Sequence, residues 1–179
     1  MSITQCYYNA FKRSQQSGLD RHGATWYKKS QRMVDTLAHR HGLQAYQVAG
    51  IVAALSPRVT WKINCRDAVA ICKHGSSARV SGTHANVRKA IAIVNGMHPE
   101  DVLGGNKVKA FYRCILGQDD IVIDTWMVKA AERDNNKPLT DNQYGELSQT
   151  LRIVASIVQL PVSTVQASIW LKVRMEGTK

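Results

Sequence analysis

Residues 99–131 read PEDVLGGNKVKAFYRCILGQDDIVIDTWMVKAA, and their punctuation decides the architecture. A short helix is predicted over 99–103, because Pro99 stands at its first position and Glu100 and Asp101 fill its first turn, where a fixed φ and negative charge are both favoured. Gly104 and Gly105 then let the backbone turn sharply with no side chain in the way, and a second helix is predicted over 106–116, stopped by Gly117. Residues 120–123 (DIVI) are extended and apolar, and Asp124 is placed to cap a helix over 125–133. The first amides of the second helix point outward beside Lys107 and Lys109, so the turn is able to accept a DNA phosphate, although a glycine pair also fits an ordinary corner between helices. Lys107 and Lys109 point to nearly opposite sides of their helix, so at most one faces a shared pocket.

The flanking sequence continues in the same helical idiom. Helices are predicted over 4–16, closed by Ser17-Gly18, over 24–41, closed by Gly42, and over 44–55, whose nearly all-apolar composition predicts burial on most sides. Ser56-Pro57 breaks that segment, and Thr60 is read as the cap of a helix over 60–74. A small-residue basic loop leads to a helix over 85–95, and after a polar loop at 134–140 two amphipathic helices, 141–158 and 163–175, end the chain. Ile121–Ile123 is the only strand-like run, too short and isolated to build a sheet. The predicted fold class is all-α.

Composition narrows the function. Hydrophobic residues make up 44% of 179, enough for a core without staples. Residues 1–90 hold 14 Lys and Arg against 3 Asp and Glu, whereas residues 91–179 hold 10 of each, so the whole net charge of +11 falls in the first half. A basic lobe joined to a neutral one suits a polyanion, because phosphate contacts release counterions and dominate affinity. Cys6, Cys65, Cys72 and Cys114 form no Cys-x-x-Cys pair, and no His spacing accompanies them, so neither a metal nor another cofactor is expected. No apolar run reaches the ~18 residues of a membrane span, and Met1 to Phe11 lacks a secretory apolar core. The expected location is the cytoplasm, with neither a membrane nor an obligate protein partner implied.

Three blocks together resemble the helix-hairpin-helix DNA glycosylase superfamily, which includes endonuclease III and oxoguanine glycosylase. Val102-Leu103-Gly104-Gly105-Asn106 is similar to that family's hairpin, here compressed and lacking its second glycine; Ile123-Asp124-Thr125-Trp126 is similar to its aspartate motif, with Trp126 in place of histidine. Residues 51–68 (IVAALSPRVTWKINCRDA) look like its Leu-Leu-Ser-x-Gln-Thr segment. The chain resembles still more closely small phage-encoded proteins with Ala-Leu-Ser-Pro…Trp-x-x-Asn, Gly-x-Lys-Val-x-Ala-Phe-Tyr and Asp-x-Trp-Met blocks. The resemblance covers about residues 22–133.

It implies a two-lobed glycosylase-like domain over 1–179: a basic lobe at about 22–100 and a hairpin-and-aspartate lobe at about 99–133, packed against the terminal helices, with the cleft between lobes. The partner would be DNA, double-stranded. Asp124 matches the catalytic aspartate, whose ionised carboxylate stabilises the positive charge that builds on the sugar as an N-glycosidic bond breaks; it equally fits a plain helix cap. The position of the nucleophilic lysine of bifunctional members falls on Asn106 or Val108; of the lysines bracketing them Lys107 is favoured, a phosphate contact being its other reading. Gly104, Gly105, Asn106, Lys109, Arg58, Lys62, Lys28 and Lys29 are expected to hold the DNA backbone. Trp61, Asn64, Ser56 and Trp126 are expected around an extruded base. Besides base removal, two readings stay open: a phage enzyme of base hypermodification on the same fold, and a DNA-binding module without catalysis.

Overall fold

The computed structural model describes residues 1–134 and 136–177; Asn135, inside the polar loop read at 134–140, lies outside the described residues, as do Thr178 and Lys179. Among the described residues there are ten α-helices, one 3₁₀ turn and no strand: α1 (Ile3–Gln16), α2 (Leu19–His41), α3 (Ala45–Leu55), α4 (Trp61–His74), the turn Gly75–Ser77, α5 (His84–Val94), α6 (Pro99–Val102), α7 (Asn106–Ile115), α8 (Thr125–Ala130), α9 (Asp141–Val158) and α10 (Val162–Gly177). The all-α reading holds.

Local chemistry sets most of the boundaries. Ser2, Thr60, Thr83 and Thr140 each accept an amide hydrogen bond at the start of α1, α4, α5 and α9, satisfying donors the helix itself leaves unpaired. Two boundaries differ from expectation by three residues or more. α2 begins at Leu19 instead of 24, because the break belongs to Gly18 (φ 69°) while Gly23 stays helical; a Cβ at Gly23 would collide with Ser168 of α10. α8 stops at Ala130, three residues early, in a turn where Glu132 adopts φ 54°.

The chain divides into two compact units, Met1–Lys28 with Asp119–Lys179, and Lys29–Gln118. In the first, Tyr7 and Phe11 of α1, Ile121 and Ile123, Met127 of α8, Leu147 and Leu151 of α9, and Val165 and Ile169 of α10 form one buried cluster. In the second, α3 is the central element: Val48 to Leu55 are all buried, and α4, α5, α6 and α7 pack around it. Fully burying a side chain such as Val48, Ile51, Val52 or Leu55 contributes about 1.5–3 kcal/mol. α6 lies so close to α3 that a Cβ on Gly50 would sit 2.5 Å from Pro99 Cγ.

This division cuts the expected lobes differently. The segment 99–133 is shared: α6, the glycine turn and α7 belong with α3, whereas 119–131 belong with α1, α9 and α10, with Ile121, Ile123, Met127 and Val128 buried among them. Unit 29–118 holds 13 Lys and Arg against 4 Asp and Glu, the other unit 11 against 9, so the basic character concentrates in the α3-centred unit. Among the described residues no single helix is long and apolar enough to cross a membrane; α9 and α10 together pass by length and composition but bend by 103° at their break.

Candidate functional site

Asp124 sits where an apolar run ends and a helix starts. Ile121, Val122 and Ile123 are buried, and their backbone has no strand to pair with. The Tyr144 hydroxyl takes that place, donating to Ile121 O (2.7 Å) and accepting from Ile123 N (3.2 Å). Buried main-chain groups need such partners, so Tyr144 fixes the approach to Asp124.

The Asp124 carboxylate, half-buried, accepts three hydrogen bonds. Oδ1 takes the amides of Trp126 (3.0 Å) and Met127 (3.1 Å), which makes it the cap of α8, and Oδ2 takes the indole Nε1–H of Trp170 in α10 (2.8 Å). Two oxygens offer about four acceptor directions, so roughly one remains. Trp170 is half-buried, with Arg174 4.8 Å over its ring and Trp26 meeting it edge-on at 6.1 Å. Sequence reading missed Trp170: its partner lies 46 residues away, and no local spacing announces it.

Tyr7 of α1 lies in the same core, fully buried, with a hydroxyl that has no hydrogen-bond partner. Burial first, and then the negative charge of Asp124, push its pKa upward, so the phenol stays protonated. Trp126 is half-buried against this core, with Lys129 Nζ 5.5 Å over its ring. Asp119, just before the apolar run, accepts the amides of Val162 (3.3 Å) and Ser163 (2.9 Å) at the start of α10.

In the α3-centred unit, Gly104 and Gly105 are exposed, and Gly105 (φ 78°) precedes α7 without any capping side chain. Asn106 is exposed and Lys107 half-exposed, with no ion pair to Lys107 among the described residues. Lys109, expected on the DNA backbone, instead folds back: Nζ donates to Glu100 O (3.1 Å) and stands 3.8 Å from the Glu100 carboxylate, which also binds Arg113 (3.1 Å). That engagement gives Lys109 an intramolecular partner beside the turn. Lys89 of α5, which the sequence did not single out, reaches the turn; its Nζ would lie 3.6 Å from a Cβ on Gly104.

The predicted base pocket does not assemble as expected. Asn64 is 2% exposed and donates to Val52 O (3.1 Å), closing one of the open carbonyls at the end of α3. A base cannot reach it in this arrangement, and its Oδ1 is buried without a partner. Ser56 likewise turns back onto Ala53 O (2.9 Å). Trp61 is half-buried, its ring edge-on to Phe111 at 6.4 Å. Arg58, in a left-handed conformation (φ 64°), and Lys62 are exposed, as are Lys28 and Lys29 on α2. Buried Asp67 accepts from Arg66 (2.7 Å) and from Ser81 N (2.7 Å), tying down the loop after α4.

Asp124 and Trp126 thus belong to one unit, and Gly104, Gly105, Asn106, Lys107, Lys109, Arg58, Lys62, Trp61, Asn64 and Ser56 to the other. Among the described residues no group of three or more His, Cys, Asp or Glu is placed to hold a metal ion. A family model matches residues 1–177, and its description is that of a family of unknown function. No curated protein and no solved structure matches the chain.

Proposed function

The chain belongs to DUF7178, a family without an assigned activity, and from its own residues we propose a two-lobed, helix-hairpin-helix-type DNA glycosylase that removes a modified or damaged base from double-stranded DNA. It would work in the cytoplasm of the cell that makes it. The reading rests on Asp124, a half-exposed carboxylate held by three donors at the end of a buried extended run, with one acceptor direction left. In base removal the C1′–N bond breaks, its electron pair leaves with the base, and positive charge spreads over the sugar. A fixed carboxylate beneath the sugar stabilises that charge and orients the attacking water, which gives up its proton as it bonds to C1′. Preorganisation matters because the donors that fix Asp124 need not rearrange during reaction.

The charge distribution supports the DNA partner. Lys107, Lys89, Arg58, Lys62 and Lys29 lie in the unit with the larger basic excess, and Lys28 in the other. Lys107 is the candidate nucleophile for a strand-cleaving step. No cofactor is called for by this chemistry.

One observation favours a second reading. Asp124 already has a complete structural task as the cap of α8, so a DNA-binding module without catalysis also accounts for it. Duplexes carrying uracil, hydroxymethyluracil, oxidised or alkylated bases separate the two. Abasic sites produced from any of them, and lost in Asp124→Asn, support the glycosylase; DNA binding with no base released from any duplex leaves the binding module. Borohydride trapping of a covalent adduct, abolished in Lys107→Ala, would establish the lysine's role.

A further inference from the structure

We infer that Trp170 is the positioning residue of Asp124: its indole N–H, brought from α10, holds Oδ2 so that the carboxylate presents one fixed acceptor direction. This inference rests on the proposed role of Asp124 but is testable apart from it.

A carboxylate that only caps a helix is free to rotate about its Cβ–Cγ bond, because either oxygen satisfies the amides equally well. Here the two oxygens are made unequal. Oδ1 receives two amides of α8, and Oδ2 receives an indole N–H at 2.8 Å. Rotation would break all three bonds at once. A hydrogen bond to an ionised acceptor is about twice as strong as a neutral one, so the indole is a firm stop.

The indole is itself held in place. Arg174, one turn further along α10, covers its ring at 4.8 Å, and Trp26 meets the ring edge-on at 6.1 Å. Trp26 is in turn set edge-on to Tyr27 at 4.9 Å, and the Tyr27 hydroxyl donates to Gln166 (2.8 Å), one turn before Trp170. The contacts run from α10 through α2 and back to α10, so the indole direction is settled by packing on both sides. A buried indole needs an acceptor, but any main-chain carbonyl would serve. The acceptor here is the one carboxylate that the proposed chemistry requires to be rigid.

Nuclear magnetic resonance on the full chain decides the matter. In Trp170→Phe the ring remains and the donor is lost; the Asp124 carboxyl resonance should move, and the amides of Trp126 and Met127 should exchange with solvent several-fold faster. Trp26→Phe keeps the donor and loses only part of the packing that aims it, so it should move these signals less than Trp170→Phe does. Unchanged Asp124 and amide signals in Trp170→Phe would overturn the inference. Should that variant fail to fold, Asp124→Ser keeps a capping oxygen too short to reach α10: the Trp170 indole proton should then move upfield and exchange faster, and an unmoved resonance would equally overturn it. Where base release is measurable, Trp170→Phe should lower kcat by up to about 10²-fold with KM little changed, as a misplaced catalytic group does. Wild-type protein releasing no base would end the glycosylase reading while leaving the resonance result to stand by itself.

Discussion

Replacing Asp119 with alanine tests how α10 is held. The helix follows Pro161, which has no side-chain acceptor, so its cap comes from 43 residues earlier in the chain: Asp119 accepts Val162 N at 3.3 Å and Ser163 N at 2.9 Å. Losing a capping side chain costs about 1 kcal/mol, and losing a negative charge at a helix N-terminus about 0.3–1 kcal/mol more. Together these come to about 1.3–2 kcal/mol, which for a chain of this size lowers Tm by roughly 3–8 °C. The sign of the pH dependence follows from the carboxyl group. Burial pushes its pKa up, but the Ser163 side chain, the amides of Ser163 and Val162, and the charge of Arg152 together pull it below the ordinary value. A carboxyl depressed in the folded state adds stability above its unfolded pKa of about 3.9, and that stability is lost as pH falls through the lower folded value. Thermal unfolding followed by far-UV circular dichroism should therefore show the full gap between wild type and Asp119→Ala at neutral pH. The gap should narrow steadily below about pH 4. A gap under about 1 °C at neutral pH, or one of the same size in strong acid, would refute the reasoning.

Gly50→Ala places a methyl 2.5 Å from Pro99 Cγ and should cost about 1–3 kcal/mol by overpacking α3 against α6; a denaturant midpoint equal to wild type would show that α6 yields freely. Lys107→Ala and Lys89→Ala should each flatten the salt dependence of DNA affinity by about 0.9 in log–log slope. Lys109→Ala should leave that slope nearly unchanged, because Glu100 already engages the ammonium; equal slopes for all three variants would contradict this sorting. Asp124→Asn keeps an oxygen for the amides of α8 but turns an N–H₂ toward the Trp170 donor. It should cut base release by about 10²–10³-fold while DNA affinity holds, and retained turnover would remove the carboxylate from the mechanism.

What the sequence made legible was what local chemistry determines. α9 runs over Asp141–Val158, as read, because its apolar spacing and its Thr140–Gln143 capping box are both contained in the segment. The start of α2 was placed five residues late because nothing local shows that the helix runs through Gly23, whose lack of a Cβ answers to Ser168, far along the chain. Asp124 as a helix cap was recoverable from one turn of sequence. Its bond to Trp170 was not, since nothing near residue 124 points to residue 170. The partners of Asn64 and Lys109 were illegible for a related reason: helical periodicity says which face a residue shares, but not that Val52 O or Glu100 waits opposite it.

The unit containing Asp124 is assembled from two distant stretches of chain, 1–28 and 119–179. This has a consequence during synthesis. Residues 29–118 are one continuous stretch, so α3 can meet α4, α5, α6 and α7 once these have left the ribosome, whereas α1 meets α10 only after that helix emerges. At roughly 5–20 residues per second, α1 waits on the order of ten to thirty seconds with Tyr7, Ala10 and Phe11 uncovered. Until α10 is made that apolar strip lacks its cover, and the carboxylate of Asp124 lacks its indole donor.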